Sequence, residues 1–504
     1  MTNVLEYLER SARTSPDKPA LIDPGGMCTY AQLLDRARRV GSGLTGRTAP
    51  RAPVVIWMEK SISALCACLG CVYAGCFYVY LSPDQPRSRA EQILNVAQAG
   101  VVITARDRML EWQALGLDLQ ALAYEDLLAQ QPDEGALAAV REQARDLDPL
   151  YCNFTSGSTG VPKGVVVSHR SVIDFMNYFP DLFRITGEDV LGGQAPLDFD
   201  VSVKDIYTTL KTGATLVLIP RRMFSVVTEL LDYICAHRVT TLIWAVSALC
   251  LVAQFRGFTY RVPETVNKVL FSGEQMPAKF LRQWQHYLPD AAYVNLYGPT
   301  EITCNCTYYR VDHPVEEGER LPIGRPFPNE RVFLLDGEGQ LVTAPGVQGE
   351  LCVAGTALAL GYWNAPEQTA RAFVPDPLNP HYPETIYRTG DLACYREDGL
   401  LCFAGRKDFQ IKHMGHRIEL EEVEAAVNRR PGVERCCCVY DSQRSRITAF
   451  YVGGADPREL KKGLYEVLPA YMIPGAFRRL EALPMTANGK LDRRQLLEQA
   501  GRKV

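Results

Sequence analysis

Short, uninterrupted apolar runs recur through the first three hundred residues: VVIWM at 54–58, CFYVYLS at 76–82, TLVLIP at 215–220, TLIWAV at 241–246, KVLFSG at 268–273 and YVNLYG at 293–298. A strand with apolar side chains on both faces has to be covered on both faces, the condition of a parallel sheet layered with helices. Helical patterns at 30–46 and 61–75 alternate with the runs, so the expected class is layered α/β. From about residue 310 the pattern changes to short β-rich pieces with frequent Gly and Pro, such as VFLLDGEGQLV and GLLCFAGR, which predict a β subdomain. After Arg406 a small α+β unit is expected. IELEEVEAAVNRR predicts a helix with apolar Ile418, Leu420, Val423 and Val427, RCCCVYD and ITAFYVG predict strands, and PRELKKGLYEVLP predicts a further helix. At 504 residues the chain is too long for one core and implies two or more domains.

Between two strand-like runs, 150–154 and 164–167, lies YCNFTSGSTGVPKG at 151–164. Its hydroxyls (Thr155, Ser156, Ser158, Thr159), its glycines and Lys163 make a loop suited to wrapping a polyanion. Glycine lets backbone approach closely, hydroxyls and amides donate to phosphate oxygens, and the lysine adds charge. It is not a Walker A loop, because no Gly-Lys is followed directly by Ser or Thr.

Downstream stand, in order, LDFDVSVKDIY from Leu197, FSGEQMP from Phe271, NLYGPTE from Asn295, GELCVAG from Gly349, YRTGD from Tyr387, GRKDFQIKHMGHRIEL from Gly405 and NGKLDR from Asn488. Together with the loop, this set resembles the ATP-dependent adenylate-forming superfamily over nearly the whole chain. Within it the chain looks like the amino-acid adenylation domains of nonribosomal peptide synthesis and the D-alanine–carrier protein ligases. The resemblance implies a large N-terminal domain, 1–407, and a small mobile C-terminal domain, 408–504, hinged at Asp408. It also implies attack of a carboxylate on the α-phosphate of ATP, release of pyrophosphate, and transfer of the acyl group to the phosphopantetheine thiol of a carrier protein.

Matched position by position, Thr155, Ser156, Ser158, Thr159 and Lys163 are expected on the leaving phosphates, Thr300 on the α-phosphate and Glu301 on Mg²⁺, for which a hard oxygen ligand is suited. Tyr297, in the nucleotide-binding segment with Asn295 and Gly298, is expected on adenine, Asp391 on the ribose hydroxyls, and Arg406 on ribose or phosphate oxygens. Lys490 is expected in the active site for adenylation and Lys412 for the thiol step. Asp200 resembles the counter-ion of an α-ammonium, the feature that separates amino-acid from fatty-acid activation. Asp198 is expected to cap the following helix. The side-chain pocket is expected to be lined by Val201, Lys204, Ser247, Leu270, Ser272, Leu296, Cys304 and Asn305. Lys204 either pairs with a substrate carboxylate or, the favoured reading, points outward with its stem packed on the wall. Ser272 departs from the D-alanine ligases, which tend to carry Cys there.

Composition excludes other classes. With 22% charged residues and a formal net charge of −4, nothing indicates bulk nucleic-acid binding or a polybasic membrane patch. No apolar run reaches the roughly 18 residues of a spanning helix, and the N-terminus lacks a signal-peptide core, so the cytoplasm is expected. The sixteen cysteines lack paired CxxC spacing, and Cys436, Cys437 and Cys438 alternate between the faces of a strand; they read as buried thiols rather than a metal site. The chain stops just after NGKLDR, so the expectation is either a separate carrier protein in trans or an origin as an excised piece of a larger assembly line, and the sequence does not choose between them. An acyl- or aryl-CoA ligase and a non-catalytic assembly-line scaffold are the alternatives. Asp200 argues against the first, and the presence of Lys490, Asp391 and Glu301 against the second.

Overall fold

The computed structural model describes residues 1–117, 119–157, 160–442, 444–485 and 491–501. The chain divides into two compact units, one of Met1–Pro83, Ala97–Asn153 and Val165–Lys407, the other of Asp84–Val96, Phe154–Gly164 and Asp408–Val504.

The apolar runs form the centres of two large sheets. VVIWM becomes the strand Pro53–Trp57, which pairs in parallel with Phe77–Tyr80 on one side and Val101–Thr104 on the other. In the second sheet Pro19–Asp23, Thr215–Leu218, Val190–Gly193, Thr241–Ala245, Lys268–Ser272 and Ala292–Tyr297 run parallel in that spatial order. Ile62–Tyr73 is buried nearly all round, as its unbroken apolar composition requires. It crosses the helix Tyr30–Leu44 where two glycines meet. A Cβ on Gly70 would stand 2.3 Å from a Val40 methyl, and one on Gly41 2.5 Å from Tyr73 Cβ, so only hydrogen fits at this crossing.

The segment after residue 310 forms an antiparallel sheet in which Glu330–Leu335, Gln348–Gly355 and Thr385–Tyr395 pair in that order, with Leu401–Arg406 hairpinned onto the last. In the second unit Val433–Asp441 and Arg446–Gly453 are antiparallel, and Cys436 and Cys438 face one core while Cys437 faces another. The helix there begins at Leu420. Ile418, expected inside it, lies in the strand His416–Glu419, because the chain first pairs with Gln410–His413 through a tight turn in which Met414 and Gly415 both take positive φ. All sixteen cysteines are free. Among the described residues no helix is long and apolar enough to cross a membrane.

One buried titratable group ties the N-terminal segment to this frame. His169, 4% exposed, opens the helix His169–Leu182, and its Nδ1 accepts the Val4 N–H at 3.3 Å. Accepting requires the neutral ring, and burial pushes its pKa down to about 4. The folded value lies below the unfolded value of about 6.5, so the unfolded chain binds the proton first, and the stability this group contributes is lost as pH falls from about 6.5 to about 4. Urea unfolding should therefore lose up to about 3 kcal/mol across that window through His169, and His169→Gln should remove that part of the pH dependence. Identical pH profiles for the two proteins would contradict this assignment.

Candidate active site

The strand Ala292–Tyr297 has two faces, and each serves a different cluster. Alternation puts Leu296 on one face and Asn295 and Tyr297 on the other. On the Leu296 side, the neighbouring strand Lys268–Ser272 contributes Leu270 and Ser272, two residues apart and therefore on one face. Leu270, Leu296, Val203 and Cys304 share one core. Ser247 stands in the first turn of Val246–Gln254, the helix that leaves the strand Thr241–Ala245 directly. These positions lie at the carboxyl ends of parallel strands, where open α/β sheets hold ligands.

The helix Val201–Thr212 supplies the charges. Asp200, rather than Asp198, occupies its N-cap position, is 6% exposed, and makes no side-chain cap bond, so its carboxylate is not used to satisfy the helix. Val201 follows it, buried. Lys204, one turn on, is 0% exposed: its Nζ donates to Asn305 Oδ1 at 2.6 Å and to Ser272 Oγ at 3.3 Å. The expectation that this lysine points outward is therefore corrected. Outward placement needs a solvent-facing helix side, and every residue from Val201 to Leu210 on this helix is buried.

The residues that meet the lysine are delivered by a folded-back turn. Cys306 N–H donates to Tyr297 O at 2.8 Å, and a Cβ on Gly298 would stand 2.5 Å from Asn305 Cα and 2.7 Å from Cys304 O, so the return is possible only over glycine. Thr303 and Cys304 take φ of 51° and 80°, left-handed values that cost side-chain-bearing residues energy and that cluster at functional sites. Cys304 Sγ donates to Asp200 O at 2.9 Å, and burial, with the nearby Asp200, pushes the thiol up.

On the other face of the strand, Tyr297 hydroxyl donates to Asp391 Oδ2, and Arg406 Nη1 donates to Asp391 Oδ1 at 2.5 Å. The hairpin explains the second contact, because Asp391 and Arg406 are register partners. Each carboxylate oxygen retains a further acceptor position. Asn295 is not part of this cluster; its Nδ2 donates to Pro322 O at 2.8 Å. Thr300 and Glu301 open the turn Thr300–Ile302, and Glu301, 0% exposed, accepts the Tyr362 hydroxyl at 2.7 Å.

In the second unit, Ser156 Oγ donates to Arg417 O at 2.8 Å and accepts the Glu419 N–H at 3.1 Å. Thr155 Oγ1 is buried with no hydrogen-bond partner among the described residues. Lys163 begins the strand Lys163–Ser168, Lys412 pairs with Arg417 across its hairpin, and Asp408 Oδ1 accepts the Gln410 N–H at 3.2 Å. Ser158, Thr159 and Lys490 lie outside the described residues.

An AMP-binding enzyme family model matches residues 8–363, and an AMP-binding enzyme C-terminal domain model matches 422–490. The chain belongs to the AMP-binding enzyme family. Bacitracin synthase 1 of Bacillus licheniformis is 34% identical over 98% of this chain, and the chain spans 9% of that protein. Tyrocidine synthase 1 of Brevibacillus parabrevis is 29% identical over 98% of this chain, which spans 45% of it. The chain thus covers less than half the length of either relative. Among solved structures, holo-PA1221, described as a nonribosomal peptide synthetase protein containing adenylation and PCP domains, superposes with a TM-score of 0.83 at 26% identity, covering 99% of this chain and 84% of that one.

Four residues of this AMP-binding enzyme were not singled out from sequence. Tyr362 holds Glu301. Arg493, the last residue of NGKLDR, grips both carboxylate oxygens of Glu424 and lies 4.0 Å over the Phe409 ring. Lys60 donates to Gly193 O at 2.8 Å and Gln194 O at 3.1 Å. Burial pushes its pKa down to about 8, against the opposing pull of Asp205. Burial likewise pushes Asp205 up to about 8, opposed by Lys60 and Lys204. The one available signal was the pair of adjacent charges in the otherwise apolar VSVKDIY. The turn geometry makes its own prediction. Gly298→Ala forces Asn305 backbone aside and should lower stability by about 1–3 kcal/mol, read as a fall in the thermal unfolding midpoint; an unchanged midpoint would contradict the close approach.

Proposed function

We propose that this AMP-binding enzyme activates an amino acid with ATP, forming an aminoacyl adenylate and pyrophosphate, and passes the aminoacyl group to the phosphopantetheine thiol of a carrier protein. The observation that carries the amino-acid reading is Asp200, a buried carboxylate beside the pocket that does no capping work for its own helix. A buried carboxylate in that position is suited to an α-ammonium, because opposite charges attract more strongly away from water. The nucleotide reading is supported by the opposite face of the same strand, where Tyr297 offers a ring and Asp391, held by Arg406, has acceptor capacity for ribose hydroxyls.

Thr300 is assigned to the α-phosphate. Glu301 fits Mg²⁺ as a buried hard oxygen donor, and the ion would supply charge neutralisation at the phosphates. Thr155, Ser156, Ser158, Thr159 and Lys163 are assigned to the departing phosphates, and Lys490 and Lys412 to the adenylating and thiol-acylating steps, with Asp408 as the hinge. The similarity to a structure containing adenylation and PCP domains supports a carrier protein as the acceptor.

Amino-acid-dependent ATP–pyrophosphate exchange is the test of the first half-reaction. Asp200→Asn keeps size and removes charge, so the amino-acid KM should rise by about a hundredfold or more while the ATP KM barely moves. The parent enzyme should reject the des-amino analogue of its substrate, and the variant should discriminate far less. Equal discrimination by both proteins would remove Asp200 from the ammonium site.

A further inference from the structure

Two of the cysteines stand directly opposite each other on neighbouring strands. Cys394, in Thr385–Tyr395, and Cys402, in Leu401–Arg406, are register partners across the hairpin. The backbone bonds beside them show which kind of pair they form. Tyr395 O accepts the Gly346 N–H at 2.9 Å, while Leu401 donates its N–H to Gly324 O at 2.9 Å and accepts the Ile323 N–H at 2.8 Å. These groups point away from the hairpin, so Tyr395 and Leu401 are a non-hydrogen-bonded pair and Cys394 and Cys402, one step along, a hydrogen-bonded one. Such a pair has Cα atoms about 5.5 Å apart, inside the roughly 4.4–6.8 Å that a disulfide spans. Directly opposed residues also project their side chains to the same face.

Access separates this pair from the other cysteines. Twelve of the sixteen are buried, among them Cys436 and Cys438, whose sulfurs lie 4.0 Å apart in a core that gives a solution oxidant no route to them. Cys394, Cys402, Cys235 and Cys250 are partly exposed. The last two sit on separate helices, Val227–Ala236 and Val246–Gln254. Burial, and after it the neighbouring Cys394, pushes the Cys402 thiol up, so each sulfur of the hairpin pair lies within electrostatic reach of the other.

We infer that Cys394 and Cys402 are a reversible dithiol–disulfide pair, oxidised by low-molecular-weight disulfides, that clamps the hairpin carrying Asp391 and Arg406. One cysteine thiolate attacks a sulfur of the small disulfide, forms a mixed disulfide and expels one small thiolate. The opposed thiolate then attacks the protein-bound sulfur and expels the second. Two electrons pass from the cysteine pair to the small disulfide, and the two cysteine protons end on the two small thiols. Closing this short loop removes conformations from the opened hairpin, so the bridge makes local opening rarer. The clamped strands are the ones on which Asp391 and Arg406 are paired. The bridge requires none of the amino-acid or nucleotide assignments.

The test is incubation of the full chain with glutathione disulfide, an acid quench with alkylation of free thiols, and mass spectrometry of unreduced peptides. A peptide joining Cys394 to Cys402 is expected in the monomer, absent after dithiothreitol and absent from Cys402→Ser. Thiols left free at both positions, glutathione adducts there without a bridge, or a bridge only between other cysteines would overturn the inference. Hydrogen exchange reads the clamp itself. Peptides covering 392–405 should exchange at least about tenfold more slowly in the bridged protein than in the reduced one, while Cys402→Ser should exchange alike under both conditions. Equal exchange in the bridged and reduced parent would overturn the clamp.

Discussion

The arrangement of the pocket depends on burying three charged side chains within six residues, Asp200, Lys204 and Asp205, at the start of one helix. Each buried charge demands a partner from whatever packs against the helix, or the cost exceeds what a marginally stable fold tolerates. The elements around it supply these groups: Ser272 from a strand end, Asn305 from a strained turn, Lys60 from the segment after Pro53–Trp57, and a Cys304 thiol that donates to the Asp200 carbonyl. Because those contacts come from a strand end, a turn and a connecting segment far apart in sequence, the charges fix how the helix sits on the sheet. The strain at Thr303 and Cys304 and the crowding at Gly298 are local costs of bringing Asn305 to the lysine.

The second organising feature is the strand Ala292–Tyr297, whose alternation separates two kinds of chemistry. Leu296 faces the charged helix, while one residue later Tyr297 faces the antiparallel sheet and the Asp391–Arg406 pair. Register alone accounts for that pair. Asp391 and Arg406 are fifteen residues apart in sequence and directly opposed across a hairpin. A carboxylate between a guanidinium and a phenol, with acceptor capacity to spare, is a ready receptor for sugar hydroxyls.

The sheets were legible in the sequence because a strand covered on both faces carries apolar residues at every position, and Pro53–Trp57, Thr241–Ala245 and Lys268–Ser272 are such strands. Asp391 and Arg406 were legible through the resemblance of their motifs, and their direct opposition became visible only in the hairpin register. The direction of Lys204 was not legible. A lysine on a helix with a polar side would extend to water, and that this helix has no polar side depends on elements far away in sequence. Ile418 was misplaced for a related reason: apolar spacing is compatible with the helix, and pairing with Gln410–His413 decides for the strand. Nothing local showed that the Ser156 hydroxyl would be taken up by the backbone of residues 417 and 419.

The central claim is that Asp200 receives an amino acid's ammonium in the cluster around the helix Val201–Thr212. A crystal structure with the non-hydrolysable sulfamoyl analogue of the preferred aminoacyl adenylate tests it most directly. The account predicts the ligand nitrogen within about 2.7–3.2 Å of an Asp200 carboxylate oxygen, with the adenosine on the Tyr297 and Asp391 side of the strand. A ligand whose ammonium turns away from Asp200, toward solvent or another residue, would contradict it.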